Sequence, residues 1–294
     1  HSVNILATYD AAGDLTGAIV NVPCPSQETE GLFVISADFW HETRQELRKR
    51  LGEDVYVLPQ PSAAGDQSPH LIWGQQEHDR MLKLTGRTSR QEIAHRIADA
   101  VEDTIRVLPG TEERWPMLSH LDRTVELPLR KLTREDVRAA QEEAAEWRGK
   151  YQAELKRLEN DPSIKQQPRW YTEVTKCYRK MRWCERVGER FEKQQDQEPT
   201  REVTLHMVRV GDVAFATNPF EYYLDFGVYI KTRSPAVQTF VVQLAGSGTY
   251  VPSARSIAGG GYGSRPASTP IGPEGGRTVA DVTIETLQQM WGGD

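Results

Sequence analysis

Two short segments of the sequence place reactive side chains inside turns. In residues 21–27 (NVPCPSQ), Cys24 lies between two prolines, and a thiol held so rigidly suits a metal ligand or a nucleophile. In residues 65–69 (GDQSP), the glycine permits a tight turn that exposes Asp66 and Ser68. Each pattern also has a plain structural interpretation, which is a small buried residue for Cys24 and an ordinary surface turn for the second segment.

Two further segments end in carboxylates. Residues 36–38 (SAD) precede a predicted helix, and helix capping by Asp38 is favoured over a role in a site. Residues 218–221 (NPFE) place Glu221 at the predicted start of another helix, where the helix dipole stabilises an ionised carboxylate that can bind a cation. A simple capping carboxylate is the alternative for Glu221.

The elements around these segments alternate between strand and helix. Apolar runs at 3–10 and 15–24 flank a turn and predict a β-hairpin. A third apolar run at 31–38 predicts a strand that leads into a helix at 39–52, and 55–60 is a short strand. This order predicts an α/β fold in which a mixed sheet has flanking helices. Because ligands of open α/β sheets bind beyond the carboxyl ends of strands, we expect the four segments to face one crevice.

Residues 133–195 are highly charged and helical in pattern, with an interruption at Pro162. We predict a helical hairpin at 133–196, inserted into one α/β domain formed by 1–132 and 197–294. A solvated surface is the simplest interpretation of its charge, and a partner-binding arm is the alternative. The other predicted elements are a helix begun by a capping box at Ser89 and Glu92, a strand at 124–132, a hairpin at 201–217, a helix at 220–234, a strand at 237–245, a glycine-rich loop at 246–276 and a helix at 279–291.

The composition excludes several classes of protein. The 294 residues carry a net charge of −6 without a basic stripe, which argues against nucleic-acid binding. No apolar run reaches the roughly 18 residues of a transmembrane helix, and the opening residues lack the pattern of a signal peptide. The three cysteines make no disulfide framework. Cys177 and Cys184 share one helical face and are expected in a core.

Together the four segments resemble the catalytic N-terminal domain of the neutral/alkaline non-lysosomal ceramidase family. GDQSP resembles that family's GDVSP turn, NVPCPSQ followed by ISADF resembles its strand and SGD/SAD segment, and NPFE resembles its PGE segment. Tyr250 and Tyr262 lie twelve residues apart, which is the interval in the family's YVTT…YEG segment. The resemblance covers nearly the whole chain apart from 133–195.

The resemblance implies zinc-assisted hydrolysis of an amide. It would make Glu221 and Tyr250 zinc ligands, and it would place Ser68 and Tyr262 against the scissile group. We assign Asp66 to catalysis with them, and we expect a small-molecule or lipid-like amide as the substrate. The residues assigned to substrate contact are Gly65, Gln67 and Arg255.

The sequence also departs from the family pattern at the metal ligands. None of its seven histidines forms an HxH or HExxH motif, and the family's HxH motif lies before the region with which this chain begins. A second histidine is expected in residues 21–27, where this chain has Cys24. Because a thiolate can replace an imidazole on zinc, Cys24 is the candidate substitute. We therefore expect an upstream fragment or a second chain to complete the site, and a strand pattern already present at 3–9 supports that idea.

Three functions follow from these patterns. The favoured one is a zinc-dependent hydrolase of an amide or ester bond, for which the resemblance suggests a secreted or periplasmic location. The second is a non-catalytic binding protein on the same fold that recognises a glycan or a lipid headgroup. The third is an interaction scaffold built around residues 133–195.

Overall fold

The computed structural model describes residues 2–196 and 198–292. The chain divides into two compact units. The first unit comprises His1–Val125, Thr204–Gly248 and Arg277–Asp294, and the second comprises Glu126–Val203 and Thr249–Gly276. Gln197, where the predicted C-terminal part of the α/β domain begins, lies outside the described residues.

Strands and helices alternate along most of the chain, which confirms the predicted α/β class. In chain order the strands are β1 Asn4–Tyr9, β2 Leu15–Val22, β3 Tyr56–Pro61, β4 Leu118–Pro128, β5 Thr200–Val210, β6 Val213–Thr217, β7 Glu221–Tyr222, β8 Gln238–Val242 and β9 Tyr250–Val251. The helices are α1 Phe39–Leu51, α2 Gln75–Thr85, α3 Ser89–Ile105, α4 Arg134–Asn160, α5 Thr172–Lys193, α6 Leu224–Lys231, α7 Ala254–Gly259 and α8 Pro273–Trp291.

A three-stranded mixed sheet and two helices form one core of the first unit. Strands β1 and β2 make the predicted antiparallel hairpin, and β3 pairs with β2 in parallel. Helices α1 and α3 cover the sheet and bury Phe39, Leu47 and Val101 against Val20 of β2. Each such side chain contributes roughly 2 kcal/mol by leaving water, so this core fixes the strand ends from which the candidate loops extend.

A second sheet has the strand order β4-β5-β6-β8. Strands β5 and β6 form an antiparallel hairpin whose turn contains Gly211 at φ +59°, as predicted. Strand β8 pairs in parallel with β6. Strand β5 alternates between buried and exposed side chains, with Leu205 and Met207 fully buried and His206 exposed between them. This period of two places one face of the strand in the core and the other in water.

The second unit contains the predicted helical hairpin, formed by α4 and α5. A capping box at Thr133 begins α4, because its hydroxyl accepts from the Asp136 N–H while the Asp136 carboxylate accepts from the Thr133 N–H. The two helices pack through buried small side chains, which include Ala144 and Cys184. Cys177 and Cys184 are both buried on one face of α5 with free thiols, so the core interpretation of this pair is confirmed.

The predicted strand within residues 31–38 is wrong. A short 3-10 turn at Glu30–Leu32 occupies its start, and an irregular segment follows it. Phe33 has a left-handed φ of 54°, and the Ile35 side chain is fully exposed. A continuous apolar run satisfies strand propensity, but among the described residues this run pairs with no strand and its large apolar side chains stay exposed.

Two predicted helix starts differ from the observed ones. Helix α3 is capped by Thr88 and Gln91 rather than by Ser89 and Glu92, because Glu92 is buried and forms ion pairs with arginines. The predicted helix at 220–234 begins only at Leu224, and Glu221 lies in β7. Glu221 is therefore not at a helix N-terminus, and the helix-dipole argument for its charge does not apply.

Within the described ranges no helix is both long and apolar enough to cross a bilayer.

Candidate functional site

The GDQSP and NPFE segments contact each other within the first unit, although more than 150 residues separate them in sequence. The Gly65 N–H donates to the Tyr222 carbonyl oxygen at 2.9 Å. A Cβ atom at position 65 would lie only 2.3 Å from the Glu221 carbonyl oxygen. Glycine is needed here because of this close approach and not because of its backbone angles, since its φ is outside the left-handed range.

Asp66 reinforces the same contact. Its Oδ1 accepts a hydrogen bond of 2.9 Å from the N–H of Leu224, the first residue of α6. An orphan N–H at a helix start is usually satisfied by a nearby side chain, and here that side chain comes from a distant segment. Asp66 is itself exposed. The structure thus gives Asp66 a positioning role, whereas its predicted catalytic role stays a prediction.

A buried glutamine that the sequence analysis did not single out holds both segments. Gln243 directly follows β8 and is only 3% exposed. Its Oε1 accepts from the Ala64 N–H at 3.1 Å and from the Tyr222 N–H at 3.0 Å. One side-chain oxygen therefore fixes the backbone immediately before Gly65 and immediately after Glu221. In the sequence, Gln243 is one of three polar residues in the run VQTFVVQLA, so no local signal singles it out.

Ser68 lies on the exposed side of the GDQSP turn. Its hydroxyl oxygen accepts from the His70 N–H at 3.1 Å, which is a local turn interaction that leaves the hydroxyl proton available to donate. Gln67 is half-buried, and its side-chain amide donates to the Asp66 carbonyl oxygen at 3.2 Å. The end of the turn is therefore held by local hydrogen bonds, with the Ser68 hydroxyl at the surface.

Cys24 and Asp38 belong to the loops that follow β2. The Asp38 carboxylate caps α1 through the Phe39 N–H and also accepts from both the N–H and the hydroxyl of Thr29, which confirms the capping interpretation. Burial, followed by the negative charges of Asp38 and Glu28, raises the pKa of the half-buried Cys24 thiol to about 11. Cys24 is therefore protonated at neutral pH, and binding a metal there would first require removal of its proton.

The two candidate tyrosines contact each other within the second unit. The rings of Tyr250 and Tyr262 meet edge to face with centroids 5.8 Å apart. Tyr262 is 54% exposed, and the Lys180 ammonium lies 5.0 Å from the centre of its ring. Arg255 is exposed on the short helix α7. The twelve-residue interval of the sequence thus corresponds to a direct ring contact.

Exposed apolar side chains lie beside the GDQSP turn. The His70 ring is 3.6 Å from the Glu28 carboxylate and 3.5 Å from the Glu30 carboxylate, so the stretches that follow residues 30 and 70 lie close together. Large apolar residues at least half exposed follow on both stretches. These residues, the apolar patch, are Leu32, Phe33, Val34, Ile35, Leu71, Ile72 and Trp73.

The donor set for a metal is incomplete within the described residues. No group of three or more histidine, cysteine, aspartate or glutamate side chains in these ranges is arranged to hold an ion. Of the predicted ligands, Glu221 is half-buried and Cys24 carries a protonated thiol. The residues present do not by themselves fit a zinc site of three or four ligands, so we derive no catalytic step through zinc.

Solved structures of ceramidases share this fold. One is the crystal structure of neutral ceramidase from Pseudomonas aeruginosa, with a TM-score of 0.59 and 15% identity over 97% of this chain. Another is a ceramidase complexed with C2, with a TM-score of 0.59 and 14% identity over 97% of this chain. The fold is ceramidase-like. The chain spans about half the length of these proteins, at 46% and 47%. No family model and no curated protein sequence matches it.

Proposed function

We propose that this chain forms part of a zinc-dependent hydrolase that acts on an amide or ester bond. The observation that carries the proposal is the contact between the GDQSP and NPFE segments. The Gly65 N–H is hydrogen-bonded to the carbonyl oxygen of Tyr222, the residue that follows the proposed ligand Glu221. The Asp66 carboxylate is hydrogen-bonded to the N–H of Leu224, the first residue of α6. Segments that resemble one family's site at the level of sequence are thus also joined in space within the first unit.

The proposed roles are divided between two groups of residues. Ser68 presents an exposed hydroxyl in the first unit, and Tyr262 presents a half-exposed phenol in the second unit. Each is proposed to donate a hydrogen bond to the scissile group. Gly65, Gln67 and Arg255 are proposed to contact the substrate. Glu221, Tyr250 and Cys24 are proposed as zinc ligands.

The zinc site of the proposal requires ligands beyond the described residues. An upstream fragment or a second chain would supply them, because the described residues lack a group of three or more side chains suited to hold the ion. If the ion binds, it would supply Lewis-acid activation of a carbonyl and of water. The substrate is proposed to be a lipid-like amide, and the apolar patch beside Ser68 is the surface that favours an apolar substituent.

Hydrolysis assays test the proposal directly. The chain, alone and together with the proposed completing fragment or second chain, would be given short N-acyl amides and nitrophenyl esters with added Zn²⁺ or with a chelator. We expect zinc-dependent turnover that Ser68→Ala and Tyr262→Phe reduce by roughly a hundredfold or more. Tyr171→Phe is the matched control, because Tyr171 is also 54% exposed in the second unit. Turnover that survives Ser68→Ala, or falls equally in the control, would contradict the assignment.

A binding protein for a glycan or a lipid headgroup is the second candidate. The observation that favours it is the exposed Tyr262 ring with Lys180 beside it, since aromatic and cationic side chains together suit such ligands. Saturable binding of a ligand without any turnover, in the presence of zinc and of the proposed completing fragment or second chain, would support this function over hydrolysis.

A further inference from the structure

Two exposed histidines face each other on neighbouring strands of the four-stranded sheet. His120 lies on β4 and His206 on β5, and both side chains are exposed. Their rings are nearly parallel, with centroids 5.3 Å apart and an angle of 19° between the ring planes. His120 Nε2 and His206 Nδ1 are 3.1 Å apart. The proposed hydrolase site does not use this pair.

The separation of the two nitrogens matches that of two ligands on one metal ion. Zinc binds imidazole nitrogen at about 2.0–2.1 Å, and two nitrogens 3.1 Å apart then subtend an angle of about 100° at the ion. This angle lies between about 90°, which square-planar and octahedral coordination require, and about 109°, which tetrahedral coordination requires. Zn²⁺, Ni²⁺ and Cu²⁺ accept such geometries. The rings must also turn, so that both lone pairs point at the ion instead of along the line between the nitrogens.

The surrounding backbone holds the pair in place. Adjacent hydrogen-bonded strands position side chains more rigidly than loops do. The His206 N–H also donates to the Thr217 hydroxyl of β6 at 3.3 Å, which ties β5 to the next strand at this position. Little reorganisation of the main chain is therefore needed when an ion binds, and both rings are open to solvent for its entry.

We propose that His120 and His206 form a surface site for a divalent transition-metal ion of the zinc, nickel and copper class. Each imidazole contributes one nitrogen, with the ring proton on its other nitrogen, and water fills the remaining positions. Hard ions such as Mg²⁺ and Ca²⁺ prefer oxygen ligands and are not expected to bind there. The proposed hydrolase centre uses neither histidine, so zinc bound by this chain could occupy a second site.

Metal titration of the full chain, free of any affinity tag, tests the site. Zn²⁺, Ni²⁺ and Mg²⁺ would be added to the native protein and to His120→Gln, His206→Gln and the double variant, with binding measured by calorimetry. Removing a group that only hydrogen-bonds to a metal ligand lowers metal affinity by roughly ten- to a hundredfold. Removing either histidine, which would bind the ion directly, is therefore expected to weaken Zn²⁺ binding by at least about tenfold. The double variant should lose little more than either single variant, because one imidazole alone is a poor site. His41→Gln is the matched control, since His41 is an exposed histidine on α1.

The outcomes separate this site from the hydrolase centre. Zinc binding that persists in both single variants, or that His41→Gln weakens equally, would overturn the proposal. Binding that disappears in Glu221→Gln and not in His120→Gln would also overturn it, because the ion would then belong to the hydrolase site. Hydrolysis that His120→Gln leaves unchanged, together with lost surface zinc, would support both proposals at once.

Discussion

Replacement of Gly65 by alanine tests the contact on which the proposed site depends. The new Cβ would lie 2.3 Å from the Glu221 carbonyl oxygen, 2.7 Å from its carbonyl carbon and 2.9 Å from Cδ1 of Tyr223. Two of these three atoms belong to the main chain, which cannot turn away as the end of a side chain can. The GDQSP turn and the segment at Glu221 must therefore move apart.

The expected loss of stability combines three contributions. Overpacking of this kind costs about 1–3 kcal/mol. Separation of the segments also weakens the hydrogen bond from Gly65 to Tyr222, which contributes about 1 kcal/mol. Alanine restricts the unfolded chain and returns about 0.4–1 kcal/mol, because the φ of Gly65 is one that alanine can adopt. We expect a net decrease of about 2 kcal/mol in the free energy of unfolding, roughly a thirtyfold change in the equilibrium constant.

Urea unfolding followed by tryptophan fluorescence measures this change. The chain has two units, which can unfold in separate transitions. The variants are compared by the transition of the first unit, whose core contains Trp40. Gly31→Ala is the control in the same unit, since a Cβ at Gly31 would meet no atom within 4 Å. Its effect should stay within about 0.5 kcal/mol. If Gly65→Ala is no less stable than Gly31→Ala, the described contact is wrong.

Three more predictions concern single side chains. Asp66→Ala removes the acceptor for the Leu224 N–H and should lower the free energy of unfolding by about 1 kcal/mol in the same urea assay, while Asp66→Asn should restore most of it. Burial raises the pKa of Asp38, but its hydrogen bonds outweigh this and hold that pKa below its usual value, so its stabilisation is present above about pH 4 and lost below it. Unfolding measured from about pH 3 to 6 should show a shallower acid decline in Asp38→Asn. Because the pKa of the Cys24 thiol is raised to about 11, iodoacetamide at pH 8 should label it roughly a hundredfold more slowly than in the urea-unfolded chain, as followed by mass spectrometry.

Elements with a strong local pattern could be predicted from the sequence. The β1–β2 hairpin, α1 and the α4–α5 hairpin all follow from periodicity and turn residues that lie within a few residues of one another. Helix α2 is absent from the predicted elements, and none of its residues is buried in the structure. The run at 31–38 was predicted wrongly, since it is apolar without being buried.

The candidate site could be predicted as a set of segments and not as a set of contacts. The residue types in GDQSP and NPFE indicated the two loops, but nothing local showed that Gly65 lies against the Glu221 carbonyl. The role of Gln243 depends on two N–H groups that come from residues 64 and 222, far away in sequence. The facing of His120 and His206 likewise depends on strand pairing across more than 80 residues. Such information is carried by tertiary structure alone.

The base of the helical hairpin has a consequence for how the chain folds. The Leu132 N–H donates to the side-chain oxygen of Gln194 at 2.9 Å, and the Gln194 side-chain amide donates back to the Leu132 carbonyl oxygen at 2.7 Å. These two hydrogen bonds therefore join residues just before α4 and just after α5. If the hairpin forms first, the loop that β4 and β5 must close shortens from about 70 residues to about 10, and the entropic cost of pairing them falls by roughly 2 kcal/mol. A long insertion then acts in folding as a short linker, so the slow non-local pairing of these strands becomes nearly local.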